Sequence, residues 1–387
     1  MKKEFKEIIN LENFVGIILV LLPLYLVRFV FWGISLNFLE IMISGAGIWW
    51  LLERKFLNPE WKLFLRDYKL FFSLIGVILI GLLLSTFLNN NWKAGLGIIK
   101  GWFVFPLILA LLSADVFRDK KTRALKFFYG GAVGVAALAL VSFFLGQITF
   151  DGRLQGIFNS PNYLAMYLAP AVIIGAVLFG ENRKKYALSL AIIFFALYLT
   201  YSFAAWAASV IVLVGLFLIR EQGEKNKKWL AGFLILVGLV FLLQIKTDKL
   251  NNLFNFDARS SLSSRAMIWR SAGKILEDNP IWGIGPGNFQ EKYLEYQKYY
   301  PPYLEWAVPH PHNLYLACYL YSGILGLVGF ILLIFFWLKK VMAQKKEATI
   351  LVALGIIAYF LLHGMVDTAY FKNDLAVIFW LAFFLPL

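Results

Sequence analysis

Long apolar runs separated by short polar gaps fill nearly the whole chain. Runs with few charges read at about 14–31, 35–52, 70–88, 95–114, 125–146 and 162–180, and again near 186–201, 203–219, 229–244, 313–338, 348–365 and 373–387. One helix crossing a bilayer needs ~20 apolar residues. In lipid every backbone polar group must be bonded within the protein, so runs of this length predict helices. The second, seventh and last runs have the softest edges. The expected fold is all-α: a polytopic membrane protein of about 12 transmembrane helices.

Composition sharpens this picture. Of 387 residues, 60% are hydrophobic and only 16% charged, with a mean hydropathy of +0.72. Soluble domains carry about 25% charged residues, so a soluble enzyme and a disordered chain are excluded. The single cysteine, Cys318, permits no intramolecular disulfide and no cysteine-based metal cluster.

A net charge of +14 is compatible with nucleic-acid binding until the charges are placed. Alternate gaps hold 24 of the 37 basic residues: Lys2 to Lys6, Arg54 to Lys69, Arg118 to Lys126, Arg183 to Lys185, Arg220 to Lys228 and Lys339 to Lys346. The short gaps between them hold few, chiefly Lys93 and Arg153. This is the positive-inside pattern, with both termini cytoplasmic. It accounts for the charge without nucleic acid. The first helix is expected to be retained, because no small-residue cleavage site follows Met1-Lys2-Lys3.

One gap differs from the rest. Residues 246–308 are expected to form a large extracytoplasmic loop between helices 1–9 (residues 1–245) and helices 10–12 (residues 309–387). A loop of this length is uncommon unless it is functional or disordered, and its aromatic content reads as folded. Ser264 to Leu276 predicts a helix capped by Ser263 or Ser264 and stopped by Asn279-Pro280. The glycine-rich turn Gly283-Ile-Gly-Pro-Gly-Asn288 lacks the Gly-Lys-Ser/Thr of a phosphate loop. A second amphipathic stretch runs from Phe289 to Tyr300, and Pro309-His310-Pro311-His312-Asn313 opens the next span.

Three placements suggest chemistry. Arg265 falls in the first turn of the loop helix. His312 and Asn313 stand at the N-terminus of a transmembrane helix, where unpaired N–H groups favour anions. Arg153 precedes the sixth span. Should these gaps converge, two arginines suited to phosphate oxygens and a histidine suited to proton transfer would face one point. Simpler readings stand beside each. Arg153 can meet lipid headgroups or water, Arg270 can snorkel or pair with Glu277, and His310 is a turn residue beside proline. His363 and Asp367 can pack at a helix end or form a proton relay. Glu40 is the one carboxylate inside an apolar run. No acidic or cysteine partner stands near the His-Pro-His pair in sequence, so neither a metal nor a cofactor is expected.

Four segments together resemble the O-antigen ligase and polymerase superfamily of bacterial envelope glycosyltransferases. They are Gly152-Arg-Leu-Gln-Gly-Ile-Phe-Asn159-Ser-Pro-Asn162, Ser264-Arg-Ala-Met-Ile-Trp269, Asn279-Pro-Ile-Trp-Gly-Ile-Gly-Pro-Gly-Asn288-Phe289 and Pro311-His-Asn-Leu-Tyr-Leu316. Each is weak alone; order and spacing make the set specific over about residues 60–385. The resemblance implies a GT-C-like helical fold in the bacterial cytoplasmic membrane. It implies transfer of a glycan, with inversion and without a metal, from an undecaprenyl-diphosphate carrier to a hydroxyl on a lipid, glycan or protein acceptor. It casts Arg265 as a diphosphate contact and His312 as the base or a further contact. Arg153, Asn159, Arg270 and Asn313 are the expected substrate-binding residues. One position departs from the pattern: where members often carry an arginine after serine at the eighth span, this chain has Ser202-Phe203-Ala204-Ala205-Trp206. Phenylalanine cannot bind phosphate, so the usual clamp is either lost or shifted to Arg153 or Arg270. The alternatives are a solute or inorganic-carbon transporter, which would show midplane charge and a repeat between halves, and an inactive relative.

Overall fold

The described residues are mostly helical in a computed structural model, which describes residues 10–31, 34–53, 59–219, 238, 260–301, 308–345 and 347–387. The helices are α1 (Leu11–Val20), α2 (Phe38–Glu53), α3 (Pro59–Asp67), α4 (Lys69–Leu88), α5 (Trp92–Val116), α6 (Lys121–Phe144), α7 (Pro161–Glu181), α8 (Arg183–Leu199) and α9 (Phe203–Ile219). After the described residues resume come α10 (Ser261–Asp278), α11 (Phe289–Tyr296), α12 (Leu314–Met342), α13 (Ala348–His363) and α14 (Asn373–Phe384). Among the described residues, five segments are long and apolar enough to cross a membrane: Lys69–Leu88, Trp92–Val116, Arg118–Phe144, Pro161–Glu181 and Leu314–Met342. The expected ninth span, 229–244, lies outside the described residues, as do 246–259 and 302–307 of the large loop.

The first two expected spans need correction. The apolar run 14–31 does not continue as one helix. Pro23 lacks a backbone N–H, and after α1 the chain tightens into a 3₁₀ turn over Leu22–Leu26. It then enters an antiparallel hairpin, β1 (Arg28–Phe31) with β2 (Ile34–Asn37), in which Arg28 pairs with Asn37 and Phe31 with Ile34. Phenylalanine, valine and isoleucine favour strands, so an all-α description misses this ribbon. Glu40, read as inside an apolar run, stands in the first turn of α2. Asn37 Oδ1 accepts from the Glu40 N–H at 3.0 Å, and Glu40 Oε2 accepts from the Asn37 N–H at 3.4 Å. This is a reciprocal capping pair, and Lys100 Nζ closes it with an ion pair of 2.8 Å.

Helix α14 is buried along its whole length, and α7 and α13 pack around it with mostly buried faces. The outer faces of α4, α6 and α12 instead expose Ile80, Leu84, Leu138, Val141, Ile331 and Phe335. Apolar residues on both faces suit helices with protein on one side and lipid on the other. Helices α4 and α12 cross closely, because a side chain at Gly81 would meet Ser322 O at 2.6 Å. Small residues of this kind let membrane helices approach backbone to backbone.

Connections collect at two ends, as the alternation of basic residues requires. At one end Trp50 Nε1 donates to Asp115 at 2.8 Å, Arg118 pairs with Glu60 at 2.7 Å, Arg123 pairs with Glu12, and Tyr68 donates to Leu387 O at 2.6 Å. At the other, Lys100 donates to Ser35 O at 2.6 Å, Asn89 Nδ2 to Gly283 O at 3.3 Å, and Arg265 Nε to Val366 O at 2.7 Å. The second end carries α10 and α11.

The glycine-rich turn has a structural duty. Helix α12 breaks at Gly323 (φ 64°, ψ −171°), which frees backbone groups of the turn before it. Leu320 O accepts from the N–H groups of Ile284 (2.8 Å) and Gly285 (3.1 Å), and Ile324 N–H donates to Ile281 O at 3.0 Å. The turn therefore repairs the break and fastens the loop to the bundle. A side chain at Gly323 would meet Ile281 O at 2.4 Å, in a conformation that itself costs roughly 1–3 kcal/mol for other residues. Gly323→Ala should lower the thermal unfolding temperature of the purified protein in detergent. Gly273→Ala, in α10 with open space around it, should raise it through a gain of roughly 0.5–1 kcal/mol.

Candidate functional site

The loop helix begins earlier than its sequence suggested. Ser260, not Ser263 or Ser264, is the cap: its Oγ accepts from the Ser263 N–H at 3.1 Å. A serine cap is worth about 1 kcal/mol. The earlier start moves Arg265 from the first turn into the second, where its face of α10 turns toward the connection between α13 and α14. Its Nε donates to Val366 O at 2.7 Å and its Nη1 to Ser261 Oγ, while Nη2 lies 3.6 Å from Asp367 Oδ2.

Asp367 also holds the histidine. His312 Nδ1 lies 2.9 Å from Asp367 Oδ1, and the Thr368 N–H donates to the same oxygen at 2.8 Å. A carboxylate only accepts, so Nδ1 carries the proton and Nε2 is left as the basic nitrogen. Burial alone pushes the Asp367 carboxyl up. The adjoining His312, with its hydrogen bond, and the Arg265 charge outweigh that and hold it below the usual carboxylate range. The histidine's backbone is constrained as well: its φ of 45° is left-handed, and Trp269 Nε1 donates to its carbonyl at 3.2 Å.

Arg153 reaches the same region. Its Nε donates to Thr200 O at 2.7 Å and its Nη2 to Asn162 Oδ1 at 2.6 Å. Burial pulls its pKa down, Asp151 partly offsets that, and the charge of Arg265 adds to the depression. The charge of Arg265 therefore disfavours the Arg153 cation, and an anion received at this place would relieve it.

The other expected residues stand apart. Asn313 caps α12: its Oδ1 accepts from Tyr315 and Leu316 N–H groups, both at 3.0 Å, and its Nδ2 donates to Met365 O at 2.8 Å. Its amide is thereby committed to backbone. Asn159 is exposed in the turn before α7 and makes none of these contacts. Arg270 is exposed on α10, and Glu277, its expected partner, pairs with Lys274 at 3.0 Å instead. His310 faces inward, its Nδ1 3.1 Å from Tyr321 Oη and its ring against Trp102. His363 pairs with Tyr359 at 2.6 Å behind the site. Among the described residues, no group of three His, Cys, Asp or Glu stands close enough to hold a metal ion.

Two residues escaped the sequence reading. Asp367 was weighed only as a helix-end or relay residue, and Lys372, five positions on, was not singled out. The signal available was two charged residues in one short gap between apolar runs. Lys372 Nζ lies 3.9 Å over the ring of Tyr163, at the start of α7 beside Asn162.

Residues 188–331 match the family model described as O-antigen ligase. The match spans just over a third of the chain and includes α10, Arg265 and His312, so the resemblance read from the motifs is supported over that stretch. No curated protein matches the chain.

Burial pushes the His310 imidazole down to about 3, with the neighbouring Lys372 and His312 charges acting the same way against Asp367. Its folded pKa lies below the unfolded value of 6.5. The unfolded chain therefore takes up the proton first, and His310 withdraws stability as pH falls below about 6.5. Thermal unfolding at pH 7 and pH 5 should show a smaller drop for His310→Phe than for wild type.

Proposed function

We propose that the protein is a membrane glycosyltransferase of the O-antigen ligase kind. It acts at the extracytoplasmic face of a bacterial cytoplasmic membrane, with twelve GT-C-like spans and both termini cytoplasmic. Its donor is a glycan on undecaprenyl diphosphate, and its acceptor is a hydroxyl on a lipid, glycan or protein. The observation that carries this reading is the shared carboxylate: Asp367 aligns the Arg265 guanidinium and the His312 imidazole at one point. The match of residues 188–331 to the O-antigen ligase family supports the reaction class.

In this reading the donor's diphosphate lies against Arg265 and Arg153, whose fixed guanidiniums meet the phosphate oxygens. The acceptor hydroxyl approaches the anomeric carbon from the opposite face and gives its proton to His312 Nε2. The bond from the anomeric carbon to the diphosphate breaks, its electrons leave with the lipid diphosphate, and the configuration inverts. Asp367 stabilises the imidazolium that forms, and the arginines stabilise the departing charge. The donor is already activated, so these residues perform the step without a metal or cofactor.

The interior argues against a transporter. Among the described residues the broken helix α12 has its freed groups bonded to the loop turn, rather than left open toward a solute as in transporters with interrupted helices.

His312→Ala should lower transfer about 10²–10⁴-fold, the usual contribution of a positioned acid or base. Arg265→Ala should abolish detectable transfer, and Asp367→Asn should reduce it while leaving donor binding intact. In a knockout strain, lipid-linked glycan should accumulate and neither Ala variant should clear it. Purified, folded His312→Ala protein working at the wild-type rate would overturn the site.

A further inference from the structure

Beyond the pair of arginines there is another cation that the reaction just described does not use. Lys372 ends the connection that begins with Asp367 and caps α14, which is buried along its length. Its ammonium is only partly exposed, and it rests on the Tyr163 ring at 3.9 Å. Among the described residues it has neither an ion pair nor a side-chain hydrogen bond; Asp374, the nearest carboxylate in effect, stands beyond ion-pair distance. Burial lowers the Lys372 pKa, Asp374 partly restores it, and Arg28 at the start of β1 lowers it further. A half-buried ammonium without a counterion is costly to keep.

Its position supplies a reason. Consecutive residues in the first turn of α7 seat two cations: Asn162 takes Arg153 and Tyr163 takes Lys372. His310 and Phe371, the residue before Lys372, both pack against Trp102 and Tyr321, so the lysine's connection lies against the segment that carries the base. The N-terminal ends of α7 and α14 meet there, and each adds partial positive charge. Phe203 contributes none.

We propose that Lys372 is a substrate-binding residue that contacts a phosphate of the lipid-linked diphosphate, on the side of the site away from Arg265. This rests on the transferase reading and extends it. An ammonium is a compact point charge with three donors, so it can follow a phosphate that shifts as the bond breaks, while the two arginines stay fixed by backbone carbonyls.

The test uses the purified full chain in detergent with three probes: undecaprenyl diphosphate, undecaprenyl phosphate and phosphatidylglycerol. Binding is read from thermal stabilisation. Lys372→Met keeps the apolar stem and removes the charge, and Lys372→Arg keeps the charge. For Lys372→Met the expected result is an unchanged or raised unfolding temperature without probe, and about 10- to 100-fold weaker binding of undecaprenyl diphosphate, the worth of one charge-assisted contact. Lys372→Arg should bind within a few-fold of wild type.

Equal binding of the diphosphate by wild type and Lys372→Met overturns the assignment and leaves the transferase reading standing. No preference of the wild type for diphosphate over phosphatidylglycerol assigns Lys372 to a lipid headgroup and overturns it as well. Failure of the wild type to bind undecaprenyl diphosphate at all sinks the donor reading, and this inference with it. A lower unfolding temperature in Lys372→Met without probe, with Lys372→Arg failing alike, marks a packing role for the lysine over Tyr163 and also overturns the proposal.

Discussion

Asp367 is a carboxylate removed from water and placed where three parts of the chain meet. An ion so buried is tolerated only when its oxygens are fully matched. Here one oxygen takes His312 Nδ1 and the Thr368 N–H, and the other faces Arg265. Arg265 belongs to the loop helix, His312 to the entrance of α12, and Asp367 to the connection between α13 and α14. None can be displaced without stranding a charge in the others. The connection is further stitched by Arg265 Nε to Val366 O and by the Leu314 N–H to Gly364 O at 2.7 Å. Residues 364–368 are therefore the seat on which the loop and α12 are registered, and the buried α14 behind them keeps that seat still.

The break in α12 follows from the same need to satisfy polar groups away from water. A helix interrupted at Gly323 exposes carbonyl and N–H groups that lipid cannot bond. The turn 281–285 satisfies them, and in doing so it anchors the segment between α10 and α11. Asn91 with Asn288, and Asn89 with Gly283 O, add a second line of attachment to the connection between α4 and α5. The loop thus behaves as part of the bundle over its described length, and Arg265 inherits the bundle's rigidity. A glycine motif that resembles a ligand cradle in sequence proves to be a docking device, because its N–H groups are already bonded to α12.

Hydropathy alone made the helices legible, since a span must be apolar whatever surrounds it. It could not reveal the hairpin at Arg28–Asn37, because strand and helix are equally apolar over a short run and only Pro23 hinted at the change. Nor could it choose among serines 260, 261, 263 and 264 as the cap, a choice made by where α10 docks. Arg265 and His312 were legible from motif context, Arg153 as the one basic residue in a short gap. Lys372 was not, and Asp367 was legible only as a helix-end or relay residue, because a charge between two spans reads the same whether it meets water or a histidine from another segment. What distinguishes them is convergence in space, and that depends on contacts such as Arg265 with Val366, 101 positions apart in sequence, and Lys372 with Tyr163, farther apart still.

The departure at Phe203 follows the same logic. Phe203 opens α9 shortly after Thr200, whose carbonyl receives Arg153 Nε, and the Leu154 N–H donates to Leu199 O at 2.9 Å in the same corner. Arg153 is laid along the α8–α9 connection, one helical step from the position where related sequences often carry arginine. A second guanidinium there would add a like charge to the half-buried corner that Arg153 occupies, and like charges cost most where water is scarce. Phenylalanine removes that repulsion while Arg153 keeps a cation in the corner. The same number of cations can be brought to one corner of the fold from different positions in the chain.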